Sequence, residues 1–119
     1  MSLVSRMVTI DCRDPRVLAQ FWTAAVGYKV TVDYPEFVLL EPTDGGEPLA
    51  LGLQKVPDPT PGKNRVHIDY EADDPQAEVA RLVSLGASRL AEHEIPGLHW
   101  TVLADPDGNQ FCVGKRGDH

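Results

Sequence analysis

The 119-residue chain has only two cysteines, Cys12 and Cys112, and no CxxC pair. That scarcity argues against a disulfide scaffold or a zinc knuckle, and reduced thiols are expected. Long hydrophobic runs are missing as well. No apolar stretch approaches the roughly 20 residues that cross a bilayer as a helix. A charged, apolar, small-residue leader is not seen at the N-terminus. The expectation is a cytoplasmic protein with no membrane partner. Positive charge is also short: eleven Lys and Arg face eighteen Asp and Glu, for a net charge of -7. A phosphate backbone would be repelled, which argues against nucleic acid as a partner. What remains is the composition of one soluble domain, 42% hydrophobic and long enough to bury a core.

What the chain does have is repetition. Arg6-Met7-Val8-Thr9-Ile10-Asp11-Cys12-Arg13-Asp14-Pro15 returns sixty positions later as Val66-His67-Ile68-Asp69-Tyr70-Glu71-Ala72-Asp73-Asp74-Pro75. Each copy alternates as a half-buried strand does, then runs into Asp-Pro. Asp14 and Asp74 suit N-caps, and Pro15 and Pro75 suit the first helical position, where a missing N–H costs nothing. Val17, Leu18, Phe21, Trp22, Ala25 and Val26 then form one apolar stripe, closed by Gly27. Val79, Leu82 and Val83 do the same before Gly86. Further strands are predicted over 28–33, 36–41 and 49–56 in the first copy. The second copy shows them over 88–92, 98–104 and 110–115. Residues 42–48 read as a turn. Asp105-Pro106-Asp107-Gly108 reads as a tight turn with Gly108 at positive φ. The tail, 116–119, reads as frayed.

The order is thus βαβββ twice, with a proline-rich hinge at 57–62 between modules of about 4–56 and 63–115. A repeat of this period implies two like modules joined through their sheets. Short alternating strands favour an α+β fold of curved, mixed, mostly antiparallel sheets around a cleft. Met7, Thr9 and Asp11 share one face of the first strand. Ala50, Gly52 and Gln54 share one face of another. Trp22 beside Phe21 reads as core. Trp100, on a face with Val102 and Ala104, suits the lining of a cleft for a planar ligand. His93 and His99 flank a predicted loop at Ile95-Pro96-Gly97. Lys63-Asn64-Arg65 opens the second module, as a solvated strand entrance or a contact for an anionic group.

Several motifs together carry a family resemblance. They are Asp14-Pro15 with Leu18-Ala19-Gln20-Phe21-Trp22, then Val26-Gly27-Tyr28; Asn64-Arg65-Val66-His67-Ile68-Asp69; Leu85-Gly86-Ala87; and Asp105-Pro106-Asp107-Gly108-Asn109-Gln110-Phe111. Over nearly its whole length the chain resembles the vicinal oxygen chelate superfamily of glyoxalase I, bleomycin-resistance proteins and extradiol dioxygenases. It is most similar to the small glyoxalase-like proteins. The resemblance implies a divalent metal in a cleft between modules, held by ligands from the first and last strands of each module. Carried over by position, the first-strand site falls on Met7 and its second-module counterpart on His67. The last-strand site, usually Glu, falls on Cys112. The fourth-strand site falls near Gly52, with Gln54 on the same face. Only His67 is a conventional ligand. Met7 offers a soft thioether and Gly52 nothing. A site on His67 and Cys112, filled out by Gln54 or Asp69, would be loose. No cofactor is therefore assigned, and a divalent metal stays open. The resemblance also implies a homodimer.

Two functional readings follow. In the first, the protein binds a small organic molecule in the inter-module cleft over a degenerate metal site, through Met7, Thr9, Gln54, His67, Trp100 and Cys112. In the second, it is a metal-dependent enzyme of glyoxalase, lyase, isomerase or dioxygenase type with an unusual His/Cys metal site. Its catalytic candidates are then His67, Cys112 and Asp69. His67 and Cys112 could also act as a thiol–imidazole pair, the imidazole lowering the thiol pKa. The plain alternative is a buried cysteine packed as a small hydrophobe beside a satisfied histidine. The binder is preferred, because missing ligands remove the electrophile on which the enzyme would depend.

Overall fold

The computed structural model describes residues 6–43, 49–59, 67–96 and 98–115. The predicted turn at 42–48 and hinge at 57–62 are described only in part. Lys63-Asn64-Arg65, Gly97 and the tail lie outside the described residues. The chain divides into two compact units, 1–59 and 60–119.

In the first unit the order is β1 (Met7–Cys12), α1 (Pro15–Val26), β2 (Lys29–Asp33), β3 (Phe37–Glu41) and β4 (Ala50–Lys55). Asp14 is extended at φ −139, and its carboxylate accepts hydrogen bonds from the backbone N–H groups of Arg16 and Val17. Pro15 occupies the first helical turn, where its missing N–H is harmless. Gly27 stops the helix in the left-handed region at φ 74, its N–H donating to the Thr23 carbonyl at 2.9 Å. The four strands lie in the order β1-β4-β3-β2. β1 and β4 run parallel, and the other pairs antiparallel. Helix α1 packs on β2, β3 and β4. Its Leu18, Phe21 and Trp22 are buried, as are Val38, Leu40, Leu51 and Leu53 of the sheet. Phe21 and Trp22 meet edge to face at 5.0 Å. Each such large side chain contributes about 1.5–3 kcal/mol by leaving water, so this layer dominates the stability of the unit.

The second unit repeats the plan with β5 (Ile68–Ala72), α2 (Pro75–Ser84), β6 (Ser88–Ile95), β7 (Leu98–Ala104) and β8 (Gln110–Lys115). The Asp74 carboxylate caps α2 by accepting from the Ala77 N–H at 3.2 Å. The strands lie in the order β5-β8-β7-β6, with β5 and β8 parallel. Val79 and Leu82 of α2 are buried, together with Leu103, Phe111 and Val113 of the sheet. Tyr70 and Phe111 meet edge to face at 5.9 Å. Each unit is therefore a helix on one face of an open, mixed, mostly antiparallel sheet, the expected α+β plan of βαβββ twice.

Two local expectations need adjustment. His93 and His99 do not flank a loop: β6 runs on to Ile95, and His93 pairs with Trp100 and Glu94 with His99 across a hairpin. Cross-strand pairing extends the strand past the point where apolar alternation fades. Gly86 closes α2 as expected: it follows the right-handed C-cap Leu85 at φ 123, its N–H donating to the Val83 carbonyl and the Ala87 N–H to the Leu82 carbonyl. Finally, Asp105 is more than a turn former. It is buried, and its carboxylate accepts from the N–H groups of Asp107 and Asn109, both at 2.9 Å, and from the Asn109 side-chain amide. Gly108 does take the positive φ predicted for it, 93.

Candidate functional site

The parallel register of β5 and β8 sets Asp69 beside Cys112, and His67 lies two residues earlier on the same face. Cys112 faces Val102 across the antiparallel β7–β8 pair. Trp100, two residues from Val102, faces His93 on β6. His67, Asp69, Cys112, Val102, Trp100 and His93 therefore share one face of the sheet. The other face carries Tyr70, Phe111, Val113 and Leu103 under α2.

His67, Asp69 and Cys112 each offer a donor atom, and those atoms all lie within 4.8 Å of one another. The His67 Nε2 is 3.4 Å from the Asp69 Oδ1. That is long for a hydrogen bond, so the two side chains are neighbours with room to adjust. Burial grades across the group. Cys112 is 5% exposed, the His67 side chain 33% and the Asp69 side chain 75%. A thiol forms the floor, an imidazole the wall and a carboxylate the rim. Cys112 carries no disulfide. Thiolate, imidazole and carboxylate are the donor types that bind a borderline ion such as zinc, so the residues fit a metal by their chemistry. An ion there would supply Lewis acidity. The side chains would supply its grip and leave the exposed side open.

On the same face the imidazole of His93 stacks on the indole of Trp100, with centroids 5.4 Å apart and planes at 30°. The sequence places His93 only beside a loop; its pairing with Trp100 across β6 and β7 puts it on this face. The signal was there in the hairpin symmetry of residues 93–100 around Pro96 and Gly97.

The matching face of the first unit is different. Its register sets Thr9 beside Gly52 and Met7 beside Ala50, while Phe37 lies opposite Gln54. Met7, Thr9, Gly52, Gln54 and Phe37 thus share a face. A Cβ at Gly52 would stand 2.9 Å from the Phe37 ring and 3.0 Å from the Met7 sulfur. The glycine is required there because ring and thioether occupy the space of its side chain. Thr9 and Gln54 are exposed. Of the residues expected at a site, the second unit gathers His67, Asp69 and Cys112, with Trp100 on the same face. Met7, Thr9 and Gln54 lie together on the first.

The structure resembles several solved proteins. It superposes on a glyoxalase/bleomycin resistance protein/dioxygenase family enzyme from Burkholderia phytofirmans PsJN with a TM-score of 0.76 at 19% identity, covering 92% of this chain and 95% of that one. The fosfomycin resistance protein FosX from Mesorhizobium loti gives 0.72 at 14% identity, covering 99% and 95%. The bleomycin-binding protein from Streptomyces verticillus, solved with copper(II)-bleomycin, gives 0.66 at 14% identity, covering 98% and 99%. At these identities the likeness is one of fold. No curated protein matches the chain. A sequence-family model described as the glyoxalase-like domain matches residues 7–114, nearly the whole length. With the βαβββ repeat and the shared fold, this shows that the chain belongs to the glyoxalase-like domain family.

Proposed function

We propose that this protein binds a small planar organic molecule on the free face of the second sheet, with Trp100 as the platform. The observation that carries this reading is the His93–Trp100 stack beside His67, Asp69 and Cys112. A ring held in place by a second ring loses little freedom when a ligand settles on it, and nearby polar groups can fix the ligand's orientation. The resistance and bleomycin-binding relatives support small-molecule handling as a use of this fold. The homodimer and the cytoplasmic location expected from the sequence belong to the same proposal.

The test is a titration with planar aromatic compounds, followed by tryptophan fluorescence in a Trp22→Phe background, which leaves Trp100 as the reporter. Saturable quenching is expected. Binding read by calorimetry should be lost in Trp100→Leu and weaken about fivefold in His93→Ala, the loss of about 1 kcal/mol of ring stacking. Binding that is indifferent to both substitutions would overturn the reading.

A second reading is favoured by the convergence of His67, Asp69 and Cys112. It is a metal-dependent enzyme of lyase, isomerase or dioxygenase type, acting on a substrate that offers oxygens to the ion. Turnover that needs an added divalent ion and disappears in His67→Ala would support it.

A further inference from the structure

We infer that His67, Asp69 and Cys112 of the second unit hold a thiophilic divalent cation of the zinc class, and that Cys112 selects it. The inference deepens the second reading above but stands on the donor set rather than on turnover. Its donor set departs from the one the family implies: among the described residues the three that converge come from β8, β5 and the residue just before β5, and one of them is a thiol.

Geometry comes first. Donors that share a tetrahedral ion at zinc distances lie roughly 3.6 Å apart. The three donor atoms are already within 4.8 Å, so closing on an ion needs movements of about 1 Å. Those movements fall on the side chains free to make them. Asp69 is three-quarters exposed and His67 one-third, and both can turn on their side-chain bonds. Cys112 is the fixed point. It sits on β8, an inner strand hydrogen-bonded on both sides, by β5 and by β7.

Charge comes second. A buried thiol resists ionising unless a positive charge compensates it, and a bound cation supplies that charge. Magnesium and calcium prefer six or more oxygens. The cluster offers one carboxylate among a sulfur and a nitrogen, so these ions lose their preferred shell without compensation. Zinc, cadmium and cobalt(II) accept the mixed set. The corresponding positions of the first unit, Met7, Thr9 and Gly52, offer a thioether, a hydroxyl and no side chain.

The test uses the reduced full-length protein and the metal alone. Cadmium titration is followed by thiolate-to-metal charge-transfer absorption, and cobalt titration by its visible spectrum. One equivalent should saturate both, with proton release. The charge-transfer band should vanish in Cys112→Ser. Affinity should fall at least tenfold in His67→Ala and several-fold in Asp69→Asn, while Met7→Leu changes nothing. A hundredfold excess of magnesium or calcium should not compete. Zinc should also raise the melting temperature of the wild type, as any ligand of the native state does, and raise it less in Asp69→Asn. That rim variant is expected to fold normally, so the site stays testable if Cys112→Ser is unstable. Cys112→Glu should exchange the preference, losing cadmium and gaining manganese(II) seen by its paramagnetic resonance. A band that survives Cys112→Ser, or no saturable band at all, would overturn the site. Manganese(II) competing with zinc on equal terms in the wild type would overturn selection by sulfur while leaving a metal-dependent enzyme intact. Ion bound without turnover would sink the enzyme and leave the site.

Discussion

The two units follow one backbone plan but present opposite chemistry on their free faces. The pair Thr9 and Gly52 in the first unit occupies the register of Asp69 and Cys112 in the second, and Met7 stands where His67 stands. Phe37 on β3 has its counterpart in Trp100 on β7, both two positions from the residue facing that central pair. In the first unit the Phe37 ring and the Met7 thioether both lie over Gly52, so that part of the face is apolar. In the second the ring stacks on His93, and a thiol, an imidazole and a carboxylate gather beside it. Duplication supplied the same scaffold twice. A few differences at equivalent positions leave one face with a ring and a thioether over a glycine and the other with a group of donors.

The helical layers differ too, and the largest effects are expected there. Leu53 and Leu103 are both fully buried, one in each unit. Leu53→Ala and Leu103→Ala should each cost about 3 kcal/mol in chemical denaturation, as large-to-small core changes do. With Trp22 reporting on the first unit and Trp100 on the second, the same experiment asks whether both units unfold together. Separate transitions would show two independent modules; coincident ones would show a single cooperative fold.

Asp105→Ala should follow at about 2 kcal/mol, because it takes the buried acceptor away from the Asp107 and Asn109 N–H donors of a part-buried turn. Asp105→Asn, which keeps an acceptor oxygen, should cost less. The measurement is again a denaturation midpoint, read through Trp100.

Gly52→Ala tests the apolar part of the first unit's face directly. The added methyl meets the Phe37 ring at 2.9 Å, and overpacking of this kind costs about 1–2 kcal/mol. Phe37→Leu in the same chain should recover most of it. The comparison sharpens further if Met7→His, Thr9→Asp and Gly52→Cys are combined. Cobalt should not bind the added set while Phe37 fills the space, and should bind it once Phe37→Leu is included. A cobalt spectrum in a Cys112→Ser background reads the outcome.

The smallest effect is on the surface of α2. There the Arg81 guanidinium hydrogen-bonds Glu78 at 2.7 Å and holds its carboxyl below the ordinary carboxylate range. A carboxyl pKa lowered on folding stabilises the native state above the unfolded value. That contribution is full at neutral pH and fades as acid carries the solution down through the folded pKa. Both side chains are over a third exposed, so solvent screens the pair and Glu78→Gln should cost only about 0.3 kcal/mol at pH 7. The difference between variant and wild type should vanish at low pH.

Much of this was legible in the residues. Asp-Pro pairs announced both helix starts, because an acceptor side chain and a preset φ act locally. Strand alternation announced both sheets, and the motifs announced the family. The site was legible only in part. His67 and Cys112 stand out by carry-over from the family, but Asp69 is one of two candidates to complete them, and only the parallel register of β5 with β8 sets it beside Cys112. His93 reads only as a neighbour of a predicted loop, since a hairpin's length depends on its partner strand and not on its own alternation. Gly52 read as a missing ligand, whereas it is a space that Phe37 and Met7 share.

The sequence by itself determined the repeat, the helix caps and the polar and apolar faces, because each is written in spacing along the chain, and its motifs carried the resemblance to the family. Only the tertiary structure decided which side chains meet. Cys112 lies 43 residues beyond Asp69 in the chain, and His93 reaches Trp100 only by way of a turn. Such contacts are set by strand register, which hydrogen bonds between distant segments fix and no local pattern records.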